Sequence, residues 1–346
     1  MKLSFRPLLR ANIPVPAMRS VRGSVRRRAR LAILLGIAFL ALAQLGLGLS
    51  VETVKPEWRD PEYGHRIKQV RELHPKIIAI GSSRTLMGLR PDATGLDVYN
   101  FGQTGAGPLQ LFLTASRILD DGAKPDLLLI ELFPAALVGN GPAEEMIDAW
   151  GPRWNRGDLH RLAPFADDPA KLEREWLRQR LAPWHSLRFP LLNHIRPDWL
   201  PASKRLDFQW VNMDRRGWLK YPVDQVSDSE RARLTEKAGE SYRKQLANYA
   251  IGEVSDRALR AIVERCRRDG IRVAFYLMPE SATFASWYPP GAMEKFRTYA
   301  ATLDAPVFDS AGGFAETEFA DSHHLLPAGA VRFSRRLAEE HLRQWK

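Results

Sequence analysis

The chain has almost no cysteine: one residue, Cys266, in 346. No intramolecular disulfide can form, so the fold must rest on its core, and cysteine usage does not choose between a periplasm and a reducing compartment. The thiol lies in a helical pattern around Ala261–Arg268 and reads as a half-buried structural group, not a nucleophile. Acidic residues are missing from the first 30 positions, which carry nine Lys or Arg. The whole chain is +11, so removing those nine leaves about +2 for everything after residue 30. The basicity belongs to a tail, and no nucleic-acid partner is expected for the remainder. There are no internal repeats, which excludes a solenoid, and no low-complexity tract beyond the tail.

Long apolar runs are also scarce. The one present, Leu31 to Ser50, carries no charge and a single amide, Gln44, over 20 residues. That length spans a hydrocarbon core as a helix. Basic residues ahead of it and Glu52, Glu57 and Asp60 behind it predict a cytoplasmic N-terminus and an exported bulk. Ala41-Leu42-Ala43 offers a cleavage site of the signal-peptide kind. The run continues past that site after a long basic region, which favours an uncleaved anchor. The same arginine cluster speaks against a buried core helix.

Residues 51–75 read as a stalk and a short lead-in helix. Apolar runs at about 76–81, 97–101, 125–134, 271–279 and 306–309 predict strands. Helical patterns at about 108–120, 255–268 (capped by Ser255 or Asp256) and 327–344 alternate with them. This rhythm predicts an α/β fold: a three-layer, doubly wound parallel sheet of flavodoxin-like type over 76–346. It breaks between about 135 and 250, where seven tryptophans stand among prolines without strand–helix alternation. That stretch reads as a helical and loop insertion packed over the sheet edge. Its tryptophans serve either a sugar- or lipid-binding surface or the core of a small subdomain.

Three separated features carry chemistry. Ile77–Ile80 is a buried strand that delivers Gly81-Ser82-Ser83 to the carboxyl edge of the sheet. Asp321-Ser322-His323-His324 places a carboxylate three residues before an imidazole. A serine hydroxyl needs a base, and the base needs an orienting group. Ser83, His324 and Asp321 fit those roles as nucleophile, base and orienter. Gly105, in a glycine-rich loop after the second strand, offers an unobstructed amide for an oxyanion hole beside the Ser83 amide.

Other readings are weaker. Gly102, Gly105 and Gly107 have the reverse of dinucleotide-loop spacing, and Asp321-His323-His324 lacks a second ligand cluster, so neither cofactor nor metal is expected. Arg84 either meets an anionic substrate group or pairs with a carboxylate. Glu131, at a strand end, is either catalytic or a structural ion-pair partner, and His323 is a solvated or packing neighbour of the pair.

These motifs, in this order, resemble the SGNH (GDSL-type) hydrolase superfamily. Gly81-Ser82-Ser83 is similar to its first block, with Ser83 at the nucleophile position. Asn100-Phe101-Gly102-Gln103-Thr104-Gly105 is similar to its asparagine-to-oxyanion-glycine block, which adds Asn100 to Arg84 as a candidate substrate contact. Asp321-Ser322-His323-His324-Leu325-Leu326-Pro327-Ala328-Gly329 is similar to its last block. The resemblance covers about 76–134 and 253–344. Two positions depart from it. Ser82 replaces the usual acid, and Ile130–Pro134 stands where Gly-x-Asn-Asp would supply a further oxyanion donor. Asn140 lies further on. Loss of one such donor costs about a hundredfold in rate or more.

The departures and the anchor resemble membrane-attached SGNH-like proteins of bacterial envelope O-acylation, namely the D-alanyl transfer and alginate acetylation families. That implies an acyl-Ser83 intermediate, a carbohydrate or lipid acyl-ester substrate, and a single-pass protein of the bacterial inner membrane with a periplasmic or extracellular domain. It also implies a membrane-bound O-acyltransferase as partner. The alternative is a non-catalytic scaffold that supports such a transferase.

Overall fold

A computed structural model describes residues 19–50, 59–139, 141–181, 183–201 and 212–345. Most of the basic tail (1–18), the first part of the expected stalk (51–58), Asn140 and Trp210 lie outside the described residues.

Five strands form one parallel sheet: β1 (Ile77–Gly81), β2 (Val98–Gly102), β3 (Leu127–Glu131), β4 (Arg272–Leu277) and β5 (Val307–Asp309), in the order β2-β1-β3-β4-β5. β1, β2 and β3 are buried at every position, because both faces of a parallel sheet are covered. Ile78 and Ile80 face one core with residues of the Pro108–Asp120 and Glu253–Arg268 helices, such as Leu111, Ile118 and Ile262. Ile77 and Ala79 face the other with Phe333 and Leu337 of the Pro327–His341 helix. The register sets Gly81 beside Gly102 and Ile80 beside Ile130, so the ends of β1, β2 and β3 lie level. β2 and β3 flank β1 on opposite sides, which makes the β1 end the point where chain connections diverge. Open α/β sheets bind ligands at such a crevice.

The expected strands and helices are present with boundaries shifted by a few residues. Two readings need correction. The Glu253–Arg268 helix is capped by Gly252, not by Ser255 or Asp256, and Ser255 is fully buried inside it. Cys266 is fully buried, not half-buried. The expected lead-in helix is Pro61–Leu73, and it docks on the sheet: Ile67 and Val70 join the core, and buried Arg66 donates to the carbonyls of Asn100 and Gly102 at 2.7 Å each.

Among the described residues the insertion holds helices and turns and no strand. Trp154 and Trp176 are buried with Leu109, Leu113, Leu159 and Leu172, so these rings build a subdomain core. Its loop around Arg216–Trp218 covers the sheet edge as expected. The Asn100 amide donates to the Arg216 carbonyl at 2.8 Å, and the Trp218 indole N–H to the Met87 carbonyl at 2.7 Å. An edge strand covered in this way is closed to further pairing. At the N-terminus, Arg19–Leu49 is helical, and Val25–Leu49 is long and apolar enough to cross a membrane, exposed along most of its length with Gln44, Leu47 and Gly48 half-buried.

Candidate active site

The β1 turn is built around two glycines. A Cβ at Gly81 would collide with the Thr85 hydroxyl and lie 2.6 Å from Glu131 Oε2. One at Gly102 would strike the Leu86 amide and lie 2.8 Å from the Leu86 Cα. Their absence lets the short Ser83–Gly88 helix start directly at the strand end. Ser82 caps it, its hydroxyl accepting from the Arg84 amide at 3.1 Å. Ser83 is therefore the first helical residue, where backbone amides have no partner within the helix. At the other end, Asn100 Nδ2 donates to the carbonyls of Thr85 and Leu89 at 2.7 Å each.

The second half comes from the loop before Pro327–His341. The Phe319–Leu325 bridge and the Ala320 amide, which donates to the His324 carbonyl at 2.9 Å, close it tightly. Inside it, Asp321 Oδ1 accepts from the amides of His323 and His324 at 2.8 Å each. The other carboxylate oxygen, Oδ2, meets His324 Nδ1 at 2.8 Å, and His324 Nε2 meets Ser83 Oγ at 2.8 Å. Side chains 241 residues apart thus form one continuous hydrogen-bonded line. Nδ1–H toward the carboxylate leaves Nε2 as acceptor for the serine proton, the tautomer a general base requires.

Electrostatics fit that assignment. Burial raises the Asp321 carboxyl, but the hydrogen bond and charge of His324, aided by the His323 amide, hold it well below the usual carboxylate range. It is an anion at neutral pH. Burial, with the neighbouring His324 and Arg84 charges, pushes His323 well below an ordinary imidazole, although Asp321 opposes this. His323 is a packing neighbour and not a solvated one. Its ring lies 5.1 Å from Tyr242 and 5.4 Å from Phe284.

Arg84 and Asn100 are not free to contact substrate. Arg84 is 1% exposed. Its guanidinium lies 3.7 Å from Glu131 and 3.3 Å from Glu280, donates to the Met278 and Pro279 carbonyls, and stacks 4.0 Å from the Phe133 ring. Asn100 is fully buried. Besides the two carbonyls, it accepts the Gly102 amide at 2.8 Å. Both hold the turn in shape. Glu131 is structural as well. Its Oε2 accepts from the Ser82 amide at 2.6 Å and from the Thr85 hydroxyl at 2.7 Å.

Gly105 lies in an exposed turn after β2 with φ +72°, a left-handed backbone that favours glycine. The Gln103 amide ties the start of this turn to the Gly81 carbonyl at 2.8 Å. Glu280, Tyr276 and Thr85 were not singled out by sequence reasoning. Thr85 and Tyr276 share a 2.6 Å hydroxyl contact, and Tyr288 donates to Glu280 at 3.0 Å. The available signal was positional: Glu131 and Glu280 stand at or just beyond the carboxyl ends of neighbouring strands. Asp321, His323 and His324 are close enough to hold an ion, but His324 and Asp321 already use their facing atoms on each other and on Ser83.

No protein-family model matches the chain, and no curated protein matches it.

Proposed function

We propose that this is a membrane-anchored serine esterase or O-acyltransferase of SGNH-like, three-layer type, acting through an acyl-Ser83 intermediate. The observation that carries the reading is the unbroken Ser83–His324–Asp321 line, 2.8 Å at each step. As the Ser83 oxygen attacks an ester carbonyl, its proton passes to His324 Nε2 and Asp321 stabilises the imidazolium. His324 then returns the proton to the departing alkoxide as the ester C–O bond breaks, leaving the acyl group on Ser83. In the second half, His324 deprotonates water or an acceptor hydroxyl, which takes the acyl group and restores the serine. The Ser83 and Gly105 amides serve the oxyanion.

The substrate class is an acyl ester of an envelope carbohydrate or lipid, and a membrane-bound O-acyltransferase is the expected partner. The anchor directs the domain to the outer face of a bacterial inner membrane. A fluorophosphonate probe tests the chemistry. It should label the wild type and fail to label Ser83→Ala and His324→Ala, with unchanged circular dichroism. Labelling that survives Ser83→Ala removes Ser83 as nucleophile.

A scaffold role supporting such a transferase is favoured by one feature. The strand end that would carry a side-chain oxyanion donor carries Glu131, whose carboxylate is committed to the Ser82 amide. Absence of labelling in the folded wild type would select that role.

A further inference from the structure

The end of the apolar helix does not leave the protein freely. Leu47 packs on Leu187 and Leu191, Gln44 Oε1 accepts from the Trp184 amide at 3.0 Å, and a Cβ added at Gly48 would lie 3.6 Å from Pro183 Cγ. All four partners belong to the Pro183–Ile195 helix. The 25 residues from Val25 to Leu49 rise about 37 Å at 1.5 Å per residue, against a hydrocarbon thickness of about 30 Å. Residues 44–48 therefore sit at the exit boundary of a spanned bilayer or just beneath it. Whatever packs against them shares that depth.

The chain around this junction exposes large apolar groups that the protein leaves uncovered: Leu177 at 48%, Leu181 at 79%, Trp184 at 44%, Ile195 at 64% and Trp199 at 72%. Outside the apolar N-terminal helix itself, Val223 is the one other large apolar residue so exposed among the described residues. From Leu177 to Trp199 the sequence has four arginines (Arg178, Arg180, Arg188, Arg196) against one acid, Asp198. Exposed apolar and tryptophan side chains among cations suit the headgroup layer, where amphipathic helices bury an apolar face by about 5–10 Å.

We infer that the Leu177–Trp199 segment is a second membrane contact. It lies in the headgroup layer of the bilayer crossed by Val25–Leu49, with its exposed arginines, Arg178 and Arg196, on anionic lipid, and it fixes how the domain sits on that surface. The occupant of the patch is lipid, because the patch is continuous with the helix already committed to lipid. The inference rests on that helix spanning the membrane.

The test uses the full chain in phosphatidylcholine vesicles with and without phosphatidylglycerol. Single nitroxide labels go on Leu35→Cys, Leu181→Cys, Trp199→Cys and Arg335→Cys; buried Cys266 stays in place. Arg335 belongs to the Pro327–His341 helix, whose core lies on the opposite face of the sheet from the helices that the Trp154 and Trp176 cluster packs against. Collisions with oxygen report lipid, and collisions with a water-soluble nickel chelate report solvent. The expected oxygen-to-nickel ratio at 181 and 199 is severalfold above that at 335, and rises further with phosphatidylglycerol. Solvent exposure at 35 would remove the spanning helix and the inference with it. A lipid signal at 35 with ratios at 181 and 199 equal to that at 335 would overturn the inference alone. Protection of 181 and 199 from both reagents would assign the patch to a protein contact instead, and ratios indifferent to phosphatidylglycerol would remove the role of the arginines.

Discussion

The Ser82 backbone amide donates to the Glu131 carboxylate at 2.6 Å, joining the turn that carries Ser83 to the end of the neighbouring strand. The same oxygen accepts the Thr85 hydroxyl, and Arg84 lies between Glu131 and Glu280. One carboxylate thus engages Ser82, Arg84 and Thr85, on both sides of Ser83 in the turn. Glu131→Gln keeps the shape and removes the charge. Hydrogen bonds to charged groups contribute about 1.5–3 kcal/mol each, so a loss of about that size is expected in urea denaturation. Activity should fall mainly in kcat, since the change displaces Ser83 and not a substrate contact.

Asp321→Asn should fold and still lose most activity. An amide cannot hold the Nδ1–H tautomer of His324, and in comparable triads this change costs about 10⁴-fold. Single-turnover acylation with an activated ester is the measurement. A loss under tenfold would mean that Asp321 does not orient the base.

His323 makes stability depend on pH. Its folded-state pKa is depressed by burial, so the unfolded chain binds a proton that the native one refuses. Stability contributed this way is full above about pH 6.5 and declines as pH falls below it, by up to about 1.4 kcal/mol per pH unit. His323→Phe, which keeps the contacts with Tyr242 and Phe284, should flatten the slope between pH 6.5 and 5 in denaturation curves. Asp321 has the opposite charge but the same sign of dependence. Its depressed pKa gives stability that is present above about pH 4 and lost only as pH falls further, so the two windows separate.

Cys266 should be inert in the native protein. It is fully buried, and burial, aided by Asp269, pushes its thiol up to about 12. Since the thiolate is the reactive form, a disulfide-exchange reagent should titrate one thiol in denaturant and none without it. Native reactivity would mean that the Glu253–Arg268 helix opens readily.

The parallel α/β class, the strands and the strand-end or loop positions of Ser83, His324 and Asp321 were legible because their signals are local. Apolar runs mark buried strands, glycine and proline punctuate them, and a carboxylate three residues from an imidazole is a short-range pair. The readings left open or overturned were illegible for the complementary reason. Nothing near Arg84 in sequence announces Glu280, 196 positions away, and nothing near Asn100 announces the carbonyls of Thr85 and Leu89. Likewise, the choice between binding surface and core for Trp154 and Trp176 waited on Leu109 and Leu113, which reach them from another element.

The sequence by itself determined that the chain has one membrane-length apolar segment, a basic tail, no disulfide, and a serine and an Asp-x-x-His pair at the ends of predicted elements. Only the tertiary structure decided that these parts meet, because the meeting depends on strand order and level register that place the β1 end beside the Asp321 loop. It also decided that Arg84, Asn100 and Glu131 serve the turn and not the substrate. A buried charge or amide must satisfy its polar atoms with whatever the fold brings near.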